Sequence, residues 1–219
     1  MHKLDIIFFG VTGLVGSYGV RHLYKLAKEN GRNLRWGVAG RKKETIREAL
    51  EELERETGDG NIQNIPVFIA DMEDIESIEN MVKNTKLVMN ASGPLRKNGE
   101  VVIQACLKFK THYCDVSAEP NFIEKMQWKY DEEAKRAGVW IVNTCGVDSI
   151  AYDMGILFLE QNFDGVVNSV ETFLRFGIDD SSIPGPEFNV STWKSMIDLI
   201  VNKKNSKKSE RKQTTKYLI

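Results

Sequence analysis

Residues 6–16, IIFFGVTGLVG, join an apolar run to three glycines spaced three apart: Gly10, Gly13 and Gly16. Few arrangements suit such a stretch. The continuous apolar segment LDIIFF (4–9) fits a parallel strand buried on both faces. The apolar residues Val15, Val20, Leu23, Leu26 and Ala27 that follow predict a helix over 14–28, with Gly31 beyond its end. Gly10 then lets the chain turn sharply out of the strand. Gly13 keeps a side chain away from where an anion approaches the backbone, and Gly16 lets the helix lie close to the sheet.

The same rhythm continues. Strands are predicted at 34–40, 65–71, 86–93, 111–117 and 139–146, alternating with helices at 43–57, 72–84, 99–110 and 119–138. Gly58 stops the second helix, and Pro120 suits the first turn of the fifth. Such alternation predicts an α/β fold, a doubly wound parallel sheet over residues 1–150. From 151 to 201 the pattern changes to an antiparallel strand at 169–178, a loop at 179–186 and a helix at 187–204. This region has too few elements for a core of its own and reads as the incomplete start of a second α+β domain. Residues 202–219 form a basic tail, with seven Lys or Arg against Glu210 between 202 and 216. It is read as a mobile linker or a segment for an anionic membrane surface.

Charge and composition exclude other classes. A net charge of −1 argues against nucleic acid as a partner. No apolar run approaches the ~20 residues that span a bilayer, and no signal peptide is recognised, so an intracellular location is expected. Cys106, Cys114 and Cys145 lack metal-ligand spacing and read as free thiols. His2, His22 and His112 form no sequence cluster, and no metal site is expected. Tyr24 and Lys28 match a YxxxK spacing used for proton donation. However, Tyr24 lies eight residues past Gly16, ~12 Å along the helix and away from the loop.

A glycine-rich turn between a buried strand and a helix is the context of a dinucleotide site, where helix-start amides hold the pyrophosphate. The candidate site is therefore Gly10, Thr12, Gly13, Leu14, Val15 and Gly16. At the end of the second strand, AGRKKE places Arg41, backed by Lys42 and Lys43, where a carboxylate would hold an unphosphorylated ribose. A guanidinium there favours NADP, while NAD stays open as the alternative. Other strand ends line the same edge. Asp71 is placed to bond the adenine amine or to cap the next helix, and Ser92, Gly93 and Pro94 lie on the nicotinamide side. Asp115, Glu119 and Asp148 are carboxylates near that end, each with an alternative turn or N-cap role. No catalytic residue is assigned.

Six ordered motifs, FGVTGLVG, VAGRKKE, NASGPLRKNGE, YCDVSAEP, GVDSIAYDMG and STWKS, together resemble the saccharopine-dehydrogenase-like oxidoreductases. The closer resemblance is to the eukaryotic branch related to trans-acting enoyl reductases, and it runs from about residue 5 to 200. It implies a Rossmann domain, a nicotinamide cofactor and a second α/β domain completing a substrate cleft. It also implies association with lipid droplets or mitochondrial membranes. Carried over by residue, the glycine loop falls on Gly10, Gly13 and Gly16. The 2′-phosphate region falls on Arg41, and the nicotinamide-side loop on Ser92, Gly93 and Pro94. The chain departs from the family pattern at Leu95 (usually Tyr), Ala118 (usually Gly) and Ala151 (usually Pro). Two functions are expected to compete. One is an NAD(P)-dependent oxidoreductase for an apolar, lipid-related carbonyl or enoyl substrate; the other is a noncatalytic droplet- or membrane-associated module on a Rossmann scaffold. A homo-oligomer stays open as a partner state.

Overall fold

The computed structural model describes residues 3–29 and 34–173, together with Trp193 and Ile197. The chain divides into two compact units, Met1–Asp153 and Met154–Ile219. The first is built on six strands: β1 (Leu4–Phe9), β2 (Trp36–Gly40), β3 (Val67–Ile69), β4 (Thr85–Asn90), β5 (His112–Asp115) and β6 (Ile141–Val142). They form one parallel sheet in the order β3-β2-β1-β4-β5-β6. The helices are α1 (Leu14–Glu29), α2 (Lys43–Thr57), α3 (Ile75–Val82), α4 (Leu95–Phe109), α5 (Pro120–Ala137) and α6 (Val147–Asn162). This is the doubly wound sheet expected of the sequence.

Alternation along β1 divides the core into two layers. Phe8 packs with Val20 and Leu23 of α1 and Ile46, Leu50 and Leu53 of α2. Ile7 and Phe9 point the other way, into Ile78 and Met81 of α3, Val102 and Ile103 of α4, and Phe122 and Met126 of α5. Apolar residues on both faces are what a parallel sheet covered by helices requires.

Boundaries differ where neighbouring elements decide them. α4 begins at Leu95 instead of 99. Leu95 is buried and anchors the first turn. Gly99, which reads as a helix start, sits inside the helix, where a Cβ would lie 2.9 Å from the Phe122 ring. β3 shrinks to three residues behind a 3-10 turn at Gly60–Asn64 that the sequence did not reveal. β6 is only two residues long. α3 starts at Ile75, where Asp74 accepts hydrogen bonds from the amides of Glu76 and Ser77.

α6 is an addition, since no helix is predicted between 138 and 187. Ser149 and Ile150 donate their amides to the Gly146 carbonyl and start the helix. Its apolar residues, among them Val147, Ile150, Met154 and Phe158, stand exposed. The strand expected at 169–178 is not formed over 169–173. Its remainder, the loop at 179–186, Gly31 and the basic tail lie outside the described residues. Of the expected helix at 187–204, Trp193 and Ile197 are described, and both are helical.

Candidate functional site

The strand order reverses between β1 and β4, and the crevice at their C-terminal ends is where such sheets take ligands. Leaving β1, Gly10 donates its amide to Ala39 and adopts φ 95°. A side chain is excluded there twice over: by the backbone conformation, and because a Cβ would meet Ser92 and Ala91 backbone atoms at 2.7–2.8 Å. Gly16 is equally constrained. A Cβ on it would lie 1.9 Å from the Gly10 carbonyl oxygen, so the first turn of α1 rests directly on the loop.

Gly13 is different. A Cβ there would come no closer than 3.4 Å to any protein atom, the Gly10 carbonyl oxygen being nearest. The protein interior therefore does not demand a glycine at 13. What the missing side chain leaves open is the outer side of the loop, where Thr12, Gly13, Leu14 and Val15 are all exposed. The first helical hydrogen bond runs from the Ser17 amide to the Gly13 carbonyl at 2.8 Å. The amides just before it begin the helix without intrahelical acceptors and face the same opening as the positive end of the dipole. A bare loop ending in unpaired amides fits a pyrophosphate.

Arg41 follows β2 directly and is exposed. Among the described residues it makes no ion pair, so its guanidinium is uncommitted. Lys42 takes the N-cap position of α2 without a side-chain cap bond. Asp71 follows β3, but it does not cap α3. Its Oδ1 accepts the Glu73 amide at 3.1 Å, and its own amide donates to Ser77 Oγ. Asp74 makes the cap instead.

The loop after β4 meets the glycine loop. Ala91 donates its amide to Phe9, and Ser92 donates its amide to Asn90 Oδ1 at 3.0 Å. The Gly93–Pro94 peptide bond is cis, and Pro94 leads into α4. A Cβ on Gly93 would meet nothing closer than 4.0 Å, so this loop too faces open space.

Beneath it lies a polar network that the sequence did not show. Asn90 Nδ2 donates to the Tyr113 hydroxyl, which donates to Asp115 Oδ2 at 2.8 Å. Asp115 is buried and also accepts from the Ser117 amide and hydroxyl, the Asn143 side chain and the Thr144 amide. Burial and the neighbouring Asp115 carboxylate push the Tyr113 hydroxyl well above its ordinary range. One carboxylate thus ties together the ends of β4, β5 and β6. Asn90 reads as one of the polar residues at the end of the fourth strand and Tyr113 as an ordinary strand residue, and only the register that sets Asn90 beside Asp115 brings them together. Of the other carboxylates, Glu119 precedes α5 and accepts the Ala118 amide, and Asp148 lies at the start of α6.

Tyr24 and Lys28 converge on Asp59, at 2.9 and 2.7 Å, away from the crevice. His112 accepts the Trp140 amide on Nδ1. Among the described residues no group of three or more His, Cys, Asp or Glu is placed to hold a metal. Nor is any helix among them long and apolar enough to cross a membrane.

A family model described as the saccharopine dehydrogenase NADP binding domain matches residues 6–142, from within β1 to the end of β6. The chain belongs to this saccharopine dehydrogenase NADP-binding family. The crevice is accordingly that of a nicotinamide dinucleotide-binding domain, and the open loop at Gly13 fits that ligand. Among relatives, a "Lipid droplet localized protein" of Caenorhabditis elegans is 38% identical over 197 residues, covering 90% of this chain and 45% of that protein. A "Saccharopine dehydrogenase-like oxidoreductase" of Mus musculus is 35% identical over 198 residues, covering 88% and 45%. The chain therefore spans about half the length of the curated relatives it matches. Apo saccharopine dehydrogenase (L-Glu forming) from Saccharomyces cerevisiae superposes with a TM-score of 0.53 at 16% identity, over 73% of this chain and 31% of that one. At that identity the likeness is one of fold.

Proposed function

We propose that the chain is the cofactor-binding part of an NADP-dependent oxidoreductase acting on an apolar, lipid-related carbonyl or enoyl compound. The observation that carries the reading is Gly13: a glycine that nothing inside the protein requires, at an open helix start. In this reading the helix-start amides of Leu14, Val15 and Gly16 meet the pyrophosphate, while Thr12 and the bare Gly13, whose own amide donates to the Gly10 carbonyl, line its approach. Gly10 brings the loop against the β4 end. Arg41 takes the 2′-phosphate in a bidentate fork, and Asp71 lies toward the adenine with one carboxylate oxygen in its turn. Ser92, Gly93 and Pro94 border the nicotinamide, held from below by Asn90, Tyr113 and Asp115. The bound dinucleotide would supply a hydride. The residues named here bind and orient it, and none of them is assigned as the proton donor.

The lipid-related substrate class is supported by the printed name of the nematode relative, a lipid droplet localized protein. Fluorescence titration with NADPH tests the cofactor reading. Wild type is expected to quench and saturate. Gly13→Val is expected to lose binding with an unchanged circular dichroism spectrum, and retained binding would refute the assignment. Turnover of a panel of enones and ketones by the full-length protein tests the substrate class.

A second reading is favoured by the lipid-droplet name of the nematode relative and by the basic residues between 202 and 216. In it the chain is a droplet- or membrane-associated module that keeps the fold as a scaffold. Droplet or liposome binding that persists in Gly13→Val would favour the scaffold over the enzyme.

A further inference from the structure

Asn90, Tyr113 and Asp115 are all buried, so the hydrogen bonds that join them are shielded from water. The direction of this chain is fixed at the Asp115 end. Five donors converge on its two oxygens: the Tyr113 hydroxyl and the Asn143 side chain on Oδ2, and the Ser117 amide, the Ser117 hydroxyl and the Thr144 amide on Oδ1. The Tyr113 hydroxyl therefore spends its single hydrogen on Asp115. Its oxygen is left to accept, which turns Asn90 Nδ2 toward it at 3.2 Å. Asn90 Oδ1 then faces the other way, where it takes the Ser92 amide at 3.0 Å. With the Asn90 amide reversed, two N–H groups would meet at Ser92, and Oδ1 would face a hydroxyl with no hydrogen left to give. Asp115 thus decides, through Tyr113, which end of Asn90 the loop after β4 finds. Ser92 is also the residue whose backbone nitrogen stands against Gly10.

We propose that Tyr113 is a positioning residue for the nicotinamide half of the dinucleotide, acting through Asn90 on the backbone of Ser92, Gly93 and Pro94. The inference rests on the NADP reading above for its ligand and on these hydrogen bonds for its mechanism. Tyr113 is buried and meets no ligand itself. It holds the acceptor that holds the loop, so the Ser92 backbone is already in place when the ligand arrives, and less ordering is left for binding to accomplish. The selectivity follows from topology. In the NADP reading the adenine half lies at Arg41 and Asp71, which follow β2 and β3. The hydrogen bonds of the relay join β4, β5 and the turn after β6, and none of them reaches β2 or β3. Loss of the Tyr113 link is therefore felt by the half of the ligand that borders Ser92, and not by the other half.

The test has one arm without ligand and one with it. In the full chain alone, amide hydrogen exchange in peptides spanning residues 91–93 should be faster in Tyr113→Phe than in wild type. Thr111→Val serves as the control, because it removes a buried hydroxyl bonded to the Val82 and Thr85 carbonyls at the other end of β5. It should leave exchange in those peptides unchanged. In calorimetric titrations Tyr113→Phe should weaken NADPH by about three- to tenfold, the worth of one hydrogen bond. Adenosine 2′,5′-bisphosphate, which carries the adenine half alone, should bind as it does to wild type. Asn90→Ala should show the same selectivity, and adding Tyr113→Phe to it should weaken NADPH no further. The proposal is overturned if exchange over 91–93 in Tyr113→Phe matches wild type, if both ligands weaken equally, or if the effects of the two substitutions add. A wild type that binds neither ligand refutes the NADP reading and this inference with it. Normal wild-type binding with unselective variants refutes the relay alone.

Discussion

A side chain on Gly10 would stand 2.7 Å from the backbone nitrogen of Ser92, so the loops after β1 and β4 touch backbone to backbone. That contact fixes the floor of the crevice at the point where the strand order reverses. It also separates two kinds of glycine in one motif. Gly10 is demanded by the protein, whereas Gly13 is left open on the outer side of the loop.

Gly10→Ala is accordingly expected to lower stability by about 2 kcal/mol or more, from a Cβ pressed against backbone at a φ that L residues avoid. Gly13→Ala should change stability by less than ~1 kcal/mol while weakening NADPH binding. Urea denaturation midpoints and NADPH titrations on the two variants check the contrast, and it fails if both lose stability equally.

Arg41→Ala should weaken NADP by about 1.5–3 kcal/mol, the range for a charge-assisted contact. NAD should be nearly unaffected. Equal losses in calorimetric titrations with the two cofactors would remove the phosphate-reading role from Arg41.

Asp115→Ala leaves the Tyr113 hydroxyl, Ser117, Asn143 and the Thr144 amide without their shared acceptor. Several buried donors losing one partner should cost about 3 kcal/mol or more. Tyr113→Phe removes only the link to Asn90 and Asp115, and about 1–2 kcal/mol is expected. Chemical denaturation of both variants gives the ordering.

Acid should weaken the α4–α5 contact through Glu100. Its carboxylate receives Lys125, Lys129 and the Tyr130 hydroxyl, and these hydrogen bonds, Lys125 foremost, hold it down at about 2, against an ordinary value of 4.5. A group depressed in the folded state stabilises above its unfolded value. That contribution fades as the pH falls from 4.5 towards 2. Stability of Glu100→Gln should therefore fall less steeply than wild type across this window, as measured by urea midpoints at successive pH values.

Deleting 203–216 removes seven basic residues, each contributing about 1 kcal/mol when held near an anionic membrane. Sedimentation with phosphatidylserine liposomes at low and high salt should show a salt-sensitive bound fraction that the deletion abolishes. An unchanged fraction would make the segment a linker alone.

By itself the sequence determined the sheet, its winding and the place of the glycine loop between β1 and α1. These rest on local signals: two-sided apolar runs at β1 and β2, a left-handed Gly58 closing α2, Pro120 opening α5, and glycines where backbone must turn or touch. Each is a property of one segment and survives without its neighbours. Tertiary structure decided what depends on partners distant in the chain. It started α4 at Leu95 and laid the Phe122 ring so close to position 99 that only glycine fits there. It turned Tyr24 and Lys28 into ligands of Asp59. It also made Asp115 the acceptor for residues from 113 to 144, brought together by β-strand register and the turn at Thr144. A buried carboxylate must find donors wherever the fold places them, and their positions follow from packing and not from sequence spacing.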